Sequence, residues 1–70
     1  MIKFYEIYVA GKNGFSAFVK TEIEKHDEDE ILNRAIAAKV IDSGDAKDIC
    51  YGAGYAEERE EKDSKEWNKI

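Results

Sequence analysis

The chain has 70 residues, with sixteen acids against eleven Lys and Arg and a formal charge of −5, and that balance sets it against generic binding of phosphate backbones. A single cysteine excludes an intramolecular disulfide, and with one histidine beside it any metal site would rest on carboxylates alone. An apolar content of 43% is that of a globular protein, and the length makes one small domain spanning residues 1–70.

A scaffold this short has a thin core and commonly leans on self-association for stability. The opening residues, Met-Ile-Lys-Phe-Tyr-Glu, lack the apolar stretch of a signal peptide. No run approaches the ~20 apolar residues of a membrane span. With a free cysteine, the expected location is the reducing cytoplasm and no membrane partner is expected. The charge is uneven. Residues 1–26 carry four bases and three acids, 27–48 three bases and seven acids, and 49–70 four bases and six acids.

Residues 2–10, IKFYEIYVA, are rich in aromatic and β-branched types and read as a strand. Gly11-Lys12-Asn13-Gly14 is a turn, and FSAFVKTEI (15–23) alternates as a second strand. A three-residue loop, Lys12-Asn13-Gly14 with Gly14 left-handed, would close the hairpin. That register pairs Val9 with Ala17, Ile7 with Val19 and Tyr5 with Thr21. One face then carries Tyr5, Ile7, Val9, Ala17 and Val19, and the other Phe4, Tyr8 and Phe18. Asp27, with Glu30 three positions on, reads as a capping box opening a helix. Ile31, Leu32, Ala35 and Ile36 form its apolar stripe, and Glu30 and Arg34 stand at i,i+4. The helix is expected to end between Lys39 and Ile41. Asp42-Ser43-Gly44-Asp45 has turn chemistry.

Ile49–Glu57, ICYGAGYAE, reads as a third strand. Its small residues Cys50, Gly52, Gly54 and Ala56 face the helix near Ala35, and Tyr51, Ala53 and Tyr55 face outward. Residues 57–70 read as an acidic solvated tail or a short terminal helix, with Asp63 and Glu66 as a second capping box and Trp67 and Ile70 as anchors. The expected fold class is α+β. A β-hairpin, a helix, a third strand and a short C-terminal helix form a three-stranded antiparallel sheet of order 2-1-3 with the helix on one face.

Catalytic equipment is absent from the pattern. His26 reads as a loop residue with no nucleophile and orienting acid arranged around it. Cys50 has no adjacent base to lower its pKa and reads as a small buried hydrophobe. Ser16, Ser43 and Ser64 lack a G-x-S-x-G setting. The Gly11–Gly14 turn lacks phosphate-loop spacing, and Asp42–Asp45 lacks the calcium-loop series. No cofactor or metal is expected, and the chain reads as a non-enzyme.

Two residue sets point to binding. Phe4, Tyr8, Phe18, Tyr51 and Tyr55 share the sheet face away from the helix. Left open, that face is an interaction patch; covered by the terminal helix through Trp67, it completes the core. Stacking of single-stranded RNA bases would need a basic groove beside it, which the composition does not supply. The acidic set is Asp27, Glu28, Asp29 and Glu30, with Glu57, Glu58, Glu60 and Glu61 as a second cluster. It reads either as a solvated helix start and solubilising tail or as spaced carboxylates that imitate a phosphate backbone.

In size, charge and layout the chain resembles small acidic phage and prophage accessory proteins of the anti-CRISPR type. The likeness runs from the YEIYVAGKNGFSAFVKTE hairpin through the DEDEILNRAI helix to the EEREEKDSKEWNKI tail. It implies a binder that inhibits or modulates a host nucleic-acid-handling protein, itself basic. No family site is carried onto individual residues. The alternatives are a structural or regulatory homodimer built on the aromatic face and a small RNA-binding module.

Overall fold

The structure is a computed structural model that describes residues 1–11 and 16–70. Strand β1 (Lys3–Val9) is followed by β2 (Ala17–Thr21), helix α1 (Glu28–Ala37), short helix α2 (Ser43–Asp48), β3 (Gly54–Arg59) and β4 (Asn68–Lys69). The fold is α+β. The sheet is four-stranded and mixed, in the order β3-β1-β2-β4. β1 is flanked by antiparallel β2 and β3, and β4 adds to β2 in parallel. The three-stranded, wholly antiparallel sheet expected from the sequence is thus corrected by an edge strand drawn from the C-terminal segment.

Alternation decides the layers. Tyr5, Ile7, Val9, Ala17, Val19 and Ala56 are buried on the inner face, where α1 closes over them with Ile31, Leu32 and Ala35. Ile41 and Ile49 complete the cluster, and Ile36 packs half-buried at its edge. The hairpin register differs from the expected one by two residues: Ile7 faces Ala17, Tyr5 faces Val19 and Lys3 faces Thr21. A shift of two preserves the faces, because side chains alternate with period two. The upper part of β1 is instead committed to β3, whose pairing runs to Val9–Gly54 and on to an Ala10 N–H···O=C Ala53 bond of 2.7 Å. The expected Lys12-Asn13-Gly14 loop and the start of the second strand at Phe15 lie outside the described residues.

Three helix-related expectations change. Lys25–Asp27 forms a 3-10 turn running directly into α1, so Asp27 has φ −99° and ψ 43°, not the extended backbone of a cap, and its side chain makes no capping bond. At the other end α1 closes two residues early. Lys39 takes a left-handed φ of 61°, and Lys39 and Val40 donate to the carbonyls of Ile36 and Ala35, the paired bonds of a Schellman ending. The Asp42–Asp45 stretch is a helix start: the Asp42 carboxylate accepts the Asp45 N–H at 2.9 Å and opens α2.

Because α2 exists, Ile49–Ala53 is a helical turn and not strand. Gly52, at φ 93°, reverses the chain into β3, a conformation other residues adopt at a cost. Gly54 has the opposite constraint: a Cβ there would lie 2.7 Å from Ile49 Cγ1. The buried side chain on this turn is Ile49, and Cys50 is exposed, contrary to the buried position expected for it.

The C-terminal stretch is neither a solvated tail nor a helix. Glu57–Arg59 belong to β3, and Glu61–Asp63 form a 3-10 turn. That turn is closed by a capping box between Glu60 and Asp63, in place of the expected Asp63–Glu66 pair. The chain then returns along β2, with Asn68 Nδ2 donating to the Phe18 carbonyl at 3.1 Å and the Ile70 N–H to Lys20 at 3.0 Å.

Candidate functional site

The outer sheet face is built from the alternate positions of three strands. β1 contributes Phe4, Glu6 and Tyr8, β2 contributes Phe18 and Lys20, and β3 contributes Tyr55, Glu57 and Arg59. Tyr8 and Tyr55 stand opposite each other and stack, with centroids 5.1 Å apart and planes 13° from parallel. One row down, Glu6 faces Glu57, a like-charge pairing that would be unfavourable by itself. Arg59 resolves it. Its Nε donates to Glu6 at 3.0 Å, and its terminal nitrogen donates to Glu57 at 2.8 Å and to the Tyr8 hydroxyl at 2.7 Å. These bonds, to Glu57 first and then Tyr8, hold the guanidinium protonated more firmly than usual. The Tyr8 pKa is pushed up, chiefly by its hydrogen bond to Glu6 and then by burial.

Below this row the face is covered. The Trp67 ring meets Phe4 edge-on at 4.9 Å and Phe18 at 5.3 Å, and its indole N–H donates to the Glu61 carbonyl at 3.0 Å. The five aromatics expected on this face therefore divide. Phe4 and Phe18 lie under Trp67, Tyr8 and Tyr55 remain at the open end, and Tyr51 is not on the sheet at all. It projects from the kinked turn and is 80% exposed.

The acidic residues also divide. Asp27, Glu28, Asp29 and Glu30 line one shallow recess with His26. Glu28 has a structural duty there: its Oε2 accepts the backbone N–H of Ala56 at 2.7 Å and the Lys25 ammonium at 3.3 Å. It thereby blocks one of the open hydrogen-bonding positions along the edge strand β3. Asp27 lies 3.4 Å from His26, and Glu30 is 3.5 Å from Arg34 in the expected i,i+4 pair. The second cluster is dispersed, since Glu57 binds Arg59 on the outer face and Glu60 pairs with Lys62 at 3.2 Å.

Two carboxylates the sequence reading passed over join the first cluster. Glu22 and Glu24 follow β2 and line a recess shared with Asp27 and Glu30. Glu58 and Glu24 both act on the buried Tyr5 hydroxyl, whose pKa is raised first by burial and then by these two charges. Glu58 is thus close to the same end. The signal for Glu22 and Glu24 was the T-E-I-E alternation running off the strand. For Arg59, it was a lone base closing the E-E-R end of the third strand.

Among the described residues, no group of three or more His, Cys, Asp and Glu side chains is arranged to hold a metal ion, and no helix is long and apolar enough to cross a membrane. No family model, curated protein or solved structure gives a significant match to the chain.

Proposed function

We propose that this protein is a non-enzymatic binding module that modulates or inhibits a nucleic-acid-handling protein by presenting carboxylates to its basic surface. The observation that carries this reading is the gathering of Glu22, Glu24, Asp27 and Glu30 around one recess at one end of the molecule, continued by exposed Asp29. Carboxylates clustered on a surface of a chain with net charge −5 steer association toward positive partners. They also compete for the contacts that Lys and Arg make with phosphates.

The test is capture from nuclease-treated lysate at low and high salt with the natural chain and with a Glu24→Lys/Asp27→Lys/Glu30→Lys variant. A captured protein that binds nucleic acid, loses it when the chain is added and escapes the variant supports the reading. Capture indifferent to salt and to charge reversal overturns it.

The open Tyr8–Tyr55 stack favours a second reading, a homodimer through the uncovered end of the outer face. It requires a mass that rises with concentration in analytical ultracentrifugation and falls to the monomer in Tyr55→Lys. A monomer across the whole range removes it.

A further inference from the structure

Three isoleucines and one buried threonine line the same recess as the carboxylates. The recess of about 510 Å³ that gathers Glu22, Glu24, Asp27 and Glu30 is also lined by Ile2, Ile23 and Ile70, with Thr21 behind them. Ile23 and Ile70 are partly buried against the core, and Thr21 is 3% exposed. Their backbones are fixed. The Ile23 carbonyl accepts the Tyr5 hydroxyl at 2.7 Å, and the Ile70 N–H donates to Lys20. Ile2 is 43% exposed at the mouth. The recess therefore presents aliphatic side chains, two of them held by the core, beside exposed carboxylates.

The lining is not uniformly acidic. Arg34 and Lys69 share it. Arg34 is paired with Glu30, and Lys3 reaches Glu24 at only 3.9 Å across exposed side chains. Four carboxylates against two bases still leave the rim negative, and pairs this exposed hold their partners weakly.

Carboxylates alone would be served by any cation. An aliphatic recess among them selects for a segment carrying both charge and an apolar side chain. Burying such a side chain is favoured over leaving it in water, while flanking Lys or Arg side chains would lie against the carboxylates with their stems on the isoleucines. We propose, resting on the acidic-surface reading above, that this recess is the docking site for a basic amphipathic segment of the partner. The partner's leucine-like anchor contacts Ile2, Ile23 and Ile70, and its flanking bases face Glu22, Glu24 and Asp27.

The test titrates two peptides of equal positive charge, one of alternating leucine and lysine and one of lysine and glycine, into the full chain with labelled isoleucine methyls at low salt. The expected result is binding of the leucine-containing peptide at least about tenfold tighter, with methyl shifts at Ile2, Ile23 and Ile70. In Ile2→Ser, whose site is exposed, that preference should shrink while lysine–glycine binding persists. Equal affinity for the two peptides overturns the docking site and leaves the acidic surface standing. Methyl shifts confined to isoleucines away from the recess, such as Ile36 and Ile41, overturn the site as well. Absence of binding by both overturns the site together with the reading it rests on.

Discussion

The two faces of the same three strands are finished in opposite ways. On the inner face, Tyr5, Ile7 and Val19 are fully buried, and α1 covers them with a stripe of branched and small side chains. On the outer face, one indole covers two phenylalanines and leaves a tyrosine stack open. Identical backbone alternation supplies both faces, so the difference comes from what the rest of the chain places over them. A ten-residue helix closes a core, whereas an extended segment with one large aromatic closes half a face. The open half of the outer face and the acidic end are then the surfaces that the rest of the chain leaves least covered.

The comparison breaks most visibly on the inner side. Ile7 sits at the centre of β1 with neighbours on both strands and beneath α1. Ile7→Ala should cost about 2–5 kcal/mol, combining lost transfer energy with the cavity left behind. For a domain of 70 residues that is a large share of the whole stability. Chemical denaturation read by circular dichroism should show the midpoint falling sharply or the transition disappearing. A loss under 1 kcal/mol would mean that the inner face is not the core.

A smaller effect is expected where the outer face is covered. Trp67→Ala removes both edge-to-face contacts and the indole bond to Glu61. Because Trp67 is only half-buried, the expected loss is about 1–3 kcal/mol, below the full-burial range for tryptophan. Phe4 and Phe18 would be uncovered at the same time, and the patch would join the Tyr8–Tyr55 end. Binding of a hydrophobic dye should rise with no loss of sheet content. An unchanged midpoint and unchanged dye binding would show that the C-terminal segment does not cover the face in solution.

Much of this contrast was legible in the sequence. Alternation in KFYEIYV and AFVKT assigned Tyr5, Ile7, Val9, Ala17 and Val19 to the inner face correctly and left out only the buried Thr21, and the assignment survived a register error because the error was an even number of residues. The Ile31–Leu32–Ala35 stripe was plain for the same reason of period. What failed were signals with two physical meanings. Asp42 before Ser-Gly-Asp is equally a turn former and a helix cap, and its side-chain bond to Asp45 made it a cap. Once α2 is present, Tyr51 and Cys50 leave the strand, and one of the expected aromatic contacts goes with them. The α1 terminus was misplaced because the left-handed position holds Lys39 where glycine is the usual mark. β4 is two residues long and depends on long-range pairing with β2, which local pattern does not encode. The acidic end was half visible. Asp27–Glu30 are consecutive and Glu22 and Glu24 lie just before them, but Glu58 reaches the same region only through the fold.

The finest difference between the faces lies in two tyrosines three residues apart. Tyr5 points inward and donates to the Ile23 carbonyl at 2.7 Å. Tyr8 points outward into the Glu6–Arg59 network. Both have pKa values raised above 10.0, Tyr5 first by burial and Tyr8 first by its bond to Glu6. The folded state therefore holds these protons more tightly than the unfolded chain does. Their contribution is fully present below the unfolded pKa of 10.0, and it is lost as pH rises from there through the folded values. Titration of these groups should leave stability independent of pH near neutrality and make it fall steadily above pH 10. Tyr5→Phe leaves a partly buried carbonyl without its donor and should cost about 1 kcal/mol at neutral pH, while flattening the alkaline decline. Tyr8→Phe should cost less at neutral pH, because Arg59 keeps its bonds to Glu6 and Glu57 at a more exposed site. Alkaline denaturation of the three chains decides between the causes. If Tyr8→Phe flattens the decline and Tyr5→Phe leaves it unchanged, the charged network on the outer face, and not burial on the inner one, governs the alkaline limit of the fold.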